Sequence, residues 1–277
     1  MLLNRRYVMS YFYTLNNGVK IPAIGFGTWQ IPEGELAYNA TLAALKAGYR
    51  HIDTAMVYGN EKSVGRALKD SGIKREEIFV TTKLSANIKG YEETLEEFRK
   101  SLENLGLDYL DLYLIHNVKP WGVDSDGYDY MNANIASWQA FEKLYEEGKI
   151  RSIGVSNFLP GHLKILIENS KVKPMVNQIR LHPEHIPTEN ISFCNENDIL
   201  IEAYSPLATG KILAGEKYAE MAKKYGKSVA QILIRWSYQQ GFLPLPKSVN
   251  EDRIIENLDI FDFELTPEDM DYIGKIV

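Results

Sequence analysis

Four side chains that can take part in acid–base chemistry follow three consecutive apolar segments of the chain. Asp53 ends the first segment and Tyr58 lies in the loop behind it, while Lys83 and His116 end the next two. Each could be structural by itself, because a strand-ending lysine is commonly a solvated charge and Asp before Thr is commonly a helix cap. A carboxylate, a phenol, an ammonium and an imidazole complement one another chemically, so together they indicate a catalytic site.

Eight short apolar or β-branched runs are predicted as strands, and segments with helical periodicity lie between them. The predicted strands are residues 23–27, 49–53, 78–82, 110–115, 152–155, 175–178, 200–203 and 243–246. The predicted amphipathic helices include residues 35–47, 61–71, 91–105, 135–147 and 229–238. This alternation predicts a parallel α/β architecture, either a closed (β/α)8 barrel or an open, doubly wound sheet.

Two observations favour the (β/α)8 TIM barrel over the open sheet. No predicted strand leads into the Gly-x-Gly-x-x-Gly turn of dinucleotide-binding sheets, since Gly25-Phe26-Gly27 is followed at the required offset by Gln30. The four candidate catalytic residues also follow the carboxyl ends of different strands. Barrel enzymes build their active sites from the loops at this end, so the sequence predicts a barrel.

The 277 residues are predicted to form one domain, because this length is normal for a barrel and no linker or low-complexity segment interrupts the chain. Before the first strand, Asn16-Asn17-Gly18 separates two partly apolar runs. Asn and Gly accept positive φ, so this segment predicts an N-terminal β-hairpin. Met9 is an alternative start of the protein, and residues 1–10 are predicted to be a disordered extension.

Composition and charge exclude several classes of protein. The net charge of −6 argues against a nucleic-acid partner. No apolar run approaches the ~20 residues that span a bilayer, and the N-terminus has no apolar core of a secretory signal. Cys194 is the only cysteine, and we interpret it as a packing residue rather than a nucleophile. We therefore expect a cytoplasmic monomer with no membrane partner and no bound metal ion.

Motifs between residues 15 and 272 resemble those of the aldo-keto reductase family, in the family's order. They are Gly25-Phe26-Gly27-Thr28-Trp29, Asp53-Thr54-Ala55-Met56-Val57-Tyr58-Gly59-Asn60-Glu61, Ile153-Gly154-Val155-Ser156-Asn157-Phe158, Ala203-Tyr204-Ser205-Pro206-Leu207 and Leu245-Pro246-Lys247-Ser248 followed by Arg253, Glu256 and Asn257. The chain resembles the bacterial type with a short C-terminus. The resemblance implies a (β/α)8 barrel that reduces carbonyl groups.

The resemblance also implies that Asp53, Tyr58, Lys83 and His116 form the family's catalytic tetrad. Tyr58 would donate a proton to the carbonyl oxygen, but a free tyrosine with a pKa near ~10 is a weak acid. We expect the ammonium of Lys83 to lower that pKa, because it favours the phenolate. Asp53 would hold Lys83, and His116 would bind and orient the carbonyl. The hydride would come from a nicotinamide cofactor.

NADPH or NADP⁺ is the cofactor that the resemblance implies, and two groups of residues would bind its nicotinamide half. Ser156, Asn157 and Gln178 would hold the carboxamide, and the ring of Tyr204 would stack on the nicotinamide. The other residues predicted to contact this half or the pyrophosphate are Gly27, Thr28, Asp53, Ser205, Pro206, Leu207 and Lys211.

The adenosine half would lie beside the last strand, where the family binds the 2′-phosphate. Lys247, Ser248 and Arg253 are predicted to hold this phosphate, which an Arg fork and a Lys charge match well. Lys247 and Arg253 could also be ordinary surface charges, but the loop after the eighth strand is a frequent phosphate site in barrels. NADPH is therefore favoured over NADH. The other predicted contacts of this half are Val249, Glu256 and Asn257.

The substrate pocket is expected to depart from the family's pattern after His116. Many relatives have Trp-Pro at this point, where this chain has Asn117. Either Trp121 replaces the missing tryptophan or the pocket is more polar. The predicted substrate-binding residues are Trp29, Tyr58, His116, Asn117 and Trp121. The chain ends soon after residue 272, so we expect an open pocket for small aldehydes, ketoaldehydes such as methylglyoxal, or keto-sugars.

Two alternatives to an enzyme use the same fold. The chain could be a cofactor-sensing subunit of a larger assembly, or a structural protein of the crystallin kind, and fold alone does not decide among them. The complete set of Asp, Tyr, Lys and His favours the enzyme.

Overall fold

The computed structural model describes residues 11–276, so the predicted extension over residues 1–10 lies outside it. The strands are, in chain order, β1 (Phe12–Thr14), β2 (Lys20–Pro22), β3 (Phe26–Gly27), β4 (His51–Asp53), β5 (Phe79–Leu84), β6 (Leu112–Ile115), β7 (Ile153–Ser156), β8 (Val176–Arg180), β9 (Leu200–Tyr204) and β10 (Leu243–Leu245). The α-helices are α1 (Glu35–Ala47), α2 (Glu61–Asp70), α3 (Tyr91–Leu105), α4 (Met131–Glu146), α5 (Pro160–Glu168), α6 (Thr188–Glu196), α7 (Glu216–Tyr225), α8 (Val229–Gln239), α9 (Glu251–Leu258) and α10 (Pro267–Ile273).

Strands β3 to β10 form one parallel sheet in sequence order, and backbone hydrogen bonds join its two ends. The N–H of Gly25 donates to the carbonyl of Pro244 at 3.1 Å, and that of Gly27 donates to the carbonyl of Pro246 at 3.0 Å. These bonds close the sheet into a (β/α)8 TIM barrel. The predicted fold is confirmed, and the open doubly wound sheet is excluded.

The closure depends on glycine at position 25. A Cβ atom built there would lie 2.5 Å from Cδ2 of Leu245 and 2.6 Å from Nδ1 of His51. Both distances are far inside van der Waals contact, so no other residue allows β3 to approach β10 this closely. Leu245 and His51 are themselves buried in the barrel and cannot easily move aside.

The predicted N-terminal hairpin is confirmed and covers the amino end of the barrel. Strands β1 and β2 pair antiparallel, and Gly18 has a φ of 85° in the turn between them. The Nδ2 group of Asn16 donates to the carbonyls of Pro174 and Asp198, both at 3.0 Å. These carbonyls come just before β8 and β9, so the turn is anchored to the starts of two barrel strands.

Helix α4 begins at residue 131, four residues before the predicted start at 135. Asn134 explains the difference, because its Nδ2 group donates to the carbonyls of Val118 and Tyr130 and ties the first turn to the preceding loop. Such a contact between loop and helix leaves no periodic signal in the sequence.

Among the helices of residues 11–276, none is long and apolar enough to cross a membrane. The same part of the chain contains no group of three or more His, Cys, Asp or Glu side chains that could bind a metal ion. Cys194 is fully buried on α6, and burial raises the pKa of its thiol to about 11. A thiol with this pKa is a poor nucleophile, as expected of a packing residue.

Candidate active site

A cavity of about 990 Å³ opens at the carboxyl ends of the barrel strands. It is lined by most of the residues singled out in the sequence. These are Gly27, Trp29, Asp53, Tyr58, His116, Trp121, Ser156, Asn157, Gln178, Tyr204, Ser205, Pro206, Leu207, Lys247, Ser248, Arg253, Glu256 and Asn257. One cavity therefore joins the acid–base residues to the cations that follow β10.

Asp53 and Lys83 form a buried ion pair at the base of the cavity. The Nζ atom of Lys83 lies 2.7 Å from Oδ1 and 2.8 Å from Oδ2 of Asp53, and it also donates to the carbonyl of Thr54 at 2.9 Å. Burial alone would lower the pKa of Lys83, but the attraction of Asp53 and of Tyr58 outweighs it and raises the pKa. Lys83 therefore stays an ammonium although it is completely buried.

Tyr58 ends a short 3₁₀ turn between β4 and α2, and its hydroxyl lies 3.3 Å from Nζ of Lys83. Burial raises the pKa of Tyr58, and the positive charge of Lys83 opposes this increase. The net direction is upward, which differs from the lowering expected from Lys83 alone. The sequence indicates the cation beside the phenol but not how deeply the phenol is buried.

His116 completes the cluster and is held neutral. Its ring lies edge-on to the ring of Tyr58, with centroids 5.5 Å apart. Burial, together with the charges of Lys83 and Lys89, lowers the pKa of His116 to about 2. A neutral imidazole can donate a hydrogen bond to a carbonyl oxygen, but it carries no excess proton at neutral pH.

The ring of Trp121 also lies edge-on to the ring of His116, with centroids 5.4 Å apart. Two side chains of the loop after β5 bind the backbone of the segment that carries Trp121. Lys89 donates to the carbonyl of Asn117 at 2.6 Å, and Oδ1 of Asn87 accepts from the N–H of Trp121 at 3.2 Å. Trp121, not Asn117, therefore lines the cavity at the position where the sequence departs from the family's pattern.

Residues at the carboxyl ends of β7, β8 and β9 are joined in one hydrogen-bond network, in which Nδ2 of Asn157 donates to Oγ of Ser156 at 3.0 Å. Ser156 donates to the carbonyl of Gln178 at 2.8 Å, and Tyr204 donates to Oδ1 of Asn157 at 2.9 Å. Asn157 and Ser205 have positive φ angles of 61° and 51°, which are uncommon for residues other than glycine. Backbone strain of this kind is typical of binding sites, where surrounding contacts hold it in place.

Lys247 and Ser248 in the loop after β10 and Arg253 in the first turn of α9 all line the cavity. The N–H of Asn250 donates to Oγ of Ser248 at 3.1 Å, and the side chain of Asn250 caps α9 by accepting from the N–H of Arg253. The cap fixes the start of α9 next to the loop that carries Lys247 and Ser248, so two cations and a hydroxyl line one cavity.

Five of the predicted site residues do not line the cavity. Thr28 donates to the carbonyl of Asp53, and Lys83 lies beneath Asp53. Asn117 is buried and turns its Oδ1 toward the N–H of Val118. The other two, Lys211 and Val249, are exposed outside the cavity.

Residues that were not predicted to belong to the site also line the cavity, among them Gln30, Val57, Thr209, Gly210, Leu213, Ser228, Val229, Ala230, Leu245 and Pro246. Val57 could have been found because it precedes Tyr58. Ser228–Ala230 begin α8, where a Ser-x-x-Gln capping box marks a helix start but not its nearness to the cavity.

Comparison with known proteins identifies the family. The Aldo/keto reductase family matches residues 23–277. A glyoxal reductase of Bacillus subtilis (strain 168) is 49% identical over 263 residues, covering 95% of this chain and 91% of that protein. A crystal structure of an aldo/keto reductase from Brucella melitensis is 48% identical with a TM-score of 0.89, covering 96% of this chain and 99% of that chain. Bombyx mori aldo-keto reductase in complex with NADP is 35% identical with a TM-score of 0.86, covering 96% and 92%. The chain therefore belongs to the aldo/keto reductase family and is an oxidoreductase.

Proposed function

We propose that this enzyme reduces aldehydes and ketones to alcohols with NADPH, and that Tyr58 supplies the proton. The observation that carries the proposal is the position of the Tyr58 hydroxyl on the cavity wall, 3.3 Å from the buried ammonium of Lys83. A phenol beside a fixed cation is suited to donate a proton to an oxygen on which negative charge develops.

The residues around Tyr58 divide the work of proton transfer. Asp53 binds Lys83 through both carboxylate oxygens and so fixes the position of its charge. Lys83 stabilises the phenolate that remains after Tyr58 has given up its proton. His116 is neutral and donates a hydrogen bond that orients the carbonyl oxygen toward Tyr58. When bound, NADPH supplies the hydride that reduces the carbonyl carbon.

The residues present fit NADPH. The cavity extends from Tyr58 to Arg253, and within the described residues neither Lys247 nor Arg253 has an ion-pair partner. Two unpaired cations on a cavity wall match a phosphate group. Tyr204 and Asn157 would hold the nicotinamide side. The NADP complex of the Bombyx mori relative supports this choice.

The mouth of the cavity favours small carbonyls with an apolar part. Trp29, Val57 and Trp121 border it and remain 46%, 48% and 47% exposed. Exposed apolar groups of this size commonly mark a ligand site. The glyoxal reductase of Bacillus subtilis supports ketoaldehydes as the first class of substrate to examine.

Turnover of carbonyls with NADPH tests the proposed function. Purified enzyme is mixed with NADPH and with a panel that contains glyoxal, methylglyoxal, an aromatic aldehyde and a keto-sugar, and the loss of NADPH absorbance is followed. We expect reduction of at least the ketoaldehydes and no NADPH oxidation without a carbonyl. If no carbonyl in the panel is reduced while NADPH binds, a cofactor-sensing role would replace the enzymatic one.

Replacing Arg253 with alanine is expected to weaken NADPH binding by roughly 10- to 100-fold and NADH binding by less than about twofold. Hydrogen bonds to charged groups contribute about 1.5–3 kcal/mol, and only NADPH carries the 2′-phosphate. Fluorescence titration of both cofactors measures the effect. Lys275→Ala is a matched control, since Lys275 is exposed and pairs with Asp271. Equal losses for NADPH and NADH would contradict the phosphate assignment.

A further inference from the structure

A second carboxyl group lies beneath the catalytic cluster and takes no part in the proton transfer described above. Glu202, on β9, is fully buried and faces Gln178 on β8. The Nε2 atom of Gln178 donates to Oε2 of Glu202 at 2.7 Å and to Oδ2 of Asp53 at 2.9 Å. The amide nitrogen of Gln178 is thus held between two carboxyl groups, those of Asp53 and Glu202.

This arrangement determines which way the amide of Gln178 points. Its NH₂ group has two hydrogens, one for Oδ2 of Asp53 and one for Oε2 of Glu202. The reversed amide would place Oε1 of Gln178 against Oδ2 of Asp53, a carboxylate oxygen that accepts from Lys83 and has no hydrogen to donate. The 2.7 Å hydrogen bond to Oε2 of Glu202 supports the same orientation from the other side. Gln178 lines the cavity, so the atom left for a ligand is Oε1, which accepts a hydrogen bond but cannot donate one.

The surroundings of Glu202 leave it no other strong partner. Its Oε1 atom has no hydrogen bond within the described residues, and the nearest basic atom is Nε2 of His51 at 3.8 Å. His51 is neutral, because burial and the charge of Lys83 lower its pKa to about 3. Burial, and then the charge of Asp53, raise the pKa of Glu202, so its carboxyl group is held by the hydrogen bond to Gln178 rather than by a cation.

We propose that Glu202 is a positioning residue that fixes the amide of Gln178 with Oε1 toward the cavity, ready to accept from the carboxamide NH₂ of the nicotinamide. The inference rests on the proposed use of NADPH. It assigns Glu202 to the nicotinamide half of the cofactor only, because Gln178 is hydrogen-bonded to Asp53 of the catalytic cluster and not to the cations that follow β10.

Binding of two ligands separates this role from a general effect on folding. NADP⁺ carries the nicotinamide carboxamide, whereas adenosine 2′,5′-bisphosphate carries only the adenosine and its phosphates. Titration calorimetry with Glu202→Met, which keeps the length of the side chain but accepts no strong hydrogen bond, should show roughly tenfold weaker binding of NADP⁺. Binding of adenosine 2′,5′-bisphosphate should stay within about twofold of the wild type.

Two further variants make the test specific. Glu202→Gln still offers an oxygen to Gln178, so its binding of NADP⁺ should remain close to the wild type. Glu61→Met is the matched control, because Glu61 is also buried and accepts from Thr82 and Asn104, but lies outside the cavity. The double variant Gln178→Met/Glu202→Met should bind NADP⁺ no more weakly than Gln178→Met, because Glu202 acts through Gln178.

Each contrary outcome has a distinct meaning. Equal weakening of both ligands in Glu202→Met, or unchanged binding of NADP⁺, overturns the positioning role. A loss in Glu202→Gln as large as that in Glu202→Met overturns it as well, because the accepting oxygen would then not matter. Wild-type protein that binds neither ligand contradicts the proposed cofactor itself, before any variant is compared.

Discussion

Replacing Tyr58 with phenylalanine is expected to lower kcat for carbonyl reduction by about 100- to 10,000-fold, the range of a lost general acid. The change removes only the hydroxyl that lies 3.3 Å from Nζ of Lys83. The ring that packs against His116 remains, so the shape of the pocket is kept. NADPH binding, measured by fluorescence titration, should stay within about twofold of the wild type.

No neighbouring group can replace the lost proton. His116 has a pKa lowered to about 2, so at neutral pH it holds no proton beyond its single N–H. Lys83 already directs hydrogens at Oδ1 and Oδ2 of Asp53 and at the carbonyl of Thr54. Its ammonium also lies below the surface of the cavity, so a substrate meets Tyr58 first.

Tyr49→Phe is the control for this experiment. Tyr49 is fully buried outside the cavity, and its hydroxyl has no hydrogen-bond partner within the described residues, so the same atom is deleted without loss of a contact. Both variants are compared by steady-state kinetics with the best carbonyl of the panel. A Tyr58→Phe enzyme with the kcat of Tyr49→Phe would show that another group donates the proton.

The barrel could be predicted from the sequence because its strands and helices alternate and each is patterned locally. Asn16-Asn17-Gly18 likewise encodes its hairpin within three residues. The closure of the sheet is different, since it joins Gly25 to Pro244 across almost the whole chain. The sequence offered two indirect arguments for closure, the absence of a dinucleotide-binding turn and the position of the candidate catalytic residues after different strands. The need for glycine at position 25 becomes clear when Leu245 and His51 are seen against it.

The candidate site could be predicted where a residue's type is itself unusual for its place. Lysine and histidine at the ends of apolar strands stand out, so Lys83 and His116 were found. Glu202 was not, because one glutamate in a strand has no distinguishing spacing. Its proposed role depends on a hydrogen bond to Gln178 in the neighbouring strand, which no local pattern reveals. The pKa of Tyr58 also could not be predicted, because burial outweighs Lys83 only in the folded chain.

Acidification below pH 6.5 is expected to lower the free energy of unfolding steeply, because two buried histidines stay neutral in the folded enzyme. Burial, then the charge of Lys83, lowers the pKa of His51 to about 3, and His116 is lowered to about 2. Below pH 6.5 the unfolded chain binds protons that these folded side chains cannot accept, so the free energy of unfolding falls as pH falls. Each histidine contributes about 1.4 kcal/mol per pH unit to this slope.

Glu202 opposes part of this effect. Burial, and then the charge of Asp53, raise its pKa, so the folded protein keeps a proton that the unfolded chain releases above the ordinary pKa of glutamate. Its contribution therefore falls as pH rises, with the opposite sign to that of His51 and His116. The slope of the wild type alone mixes these contributions, and variants are needed to separate them.

His51→Gln isolates one histidine, since a glutamine can keep the hydrogen bond that Nε2 of His51 makes with Oγ1 of Thr81 at 2.9 Å. Urea unfolding at several pH values between 4.5 and 6.5 should give a slope lower than that of the wild type by about 1.4 kcal/mol per pH unit. His185→Gln should lower the slope less than His51→Gln does, because His185 is exposed and burial and the charge of Arg180 lower its pKa less strongly. Identical slopes for wild type and His51→Gln would mean that His51 is protonated in the folded barrel, and that the cavity floor beside Glu202 carries a positive charge.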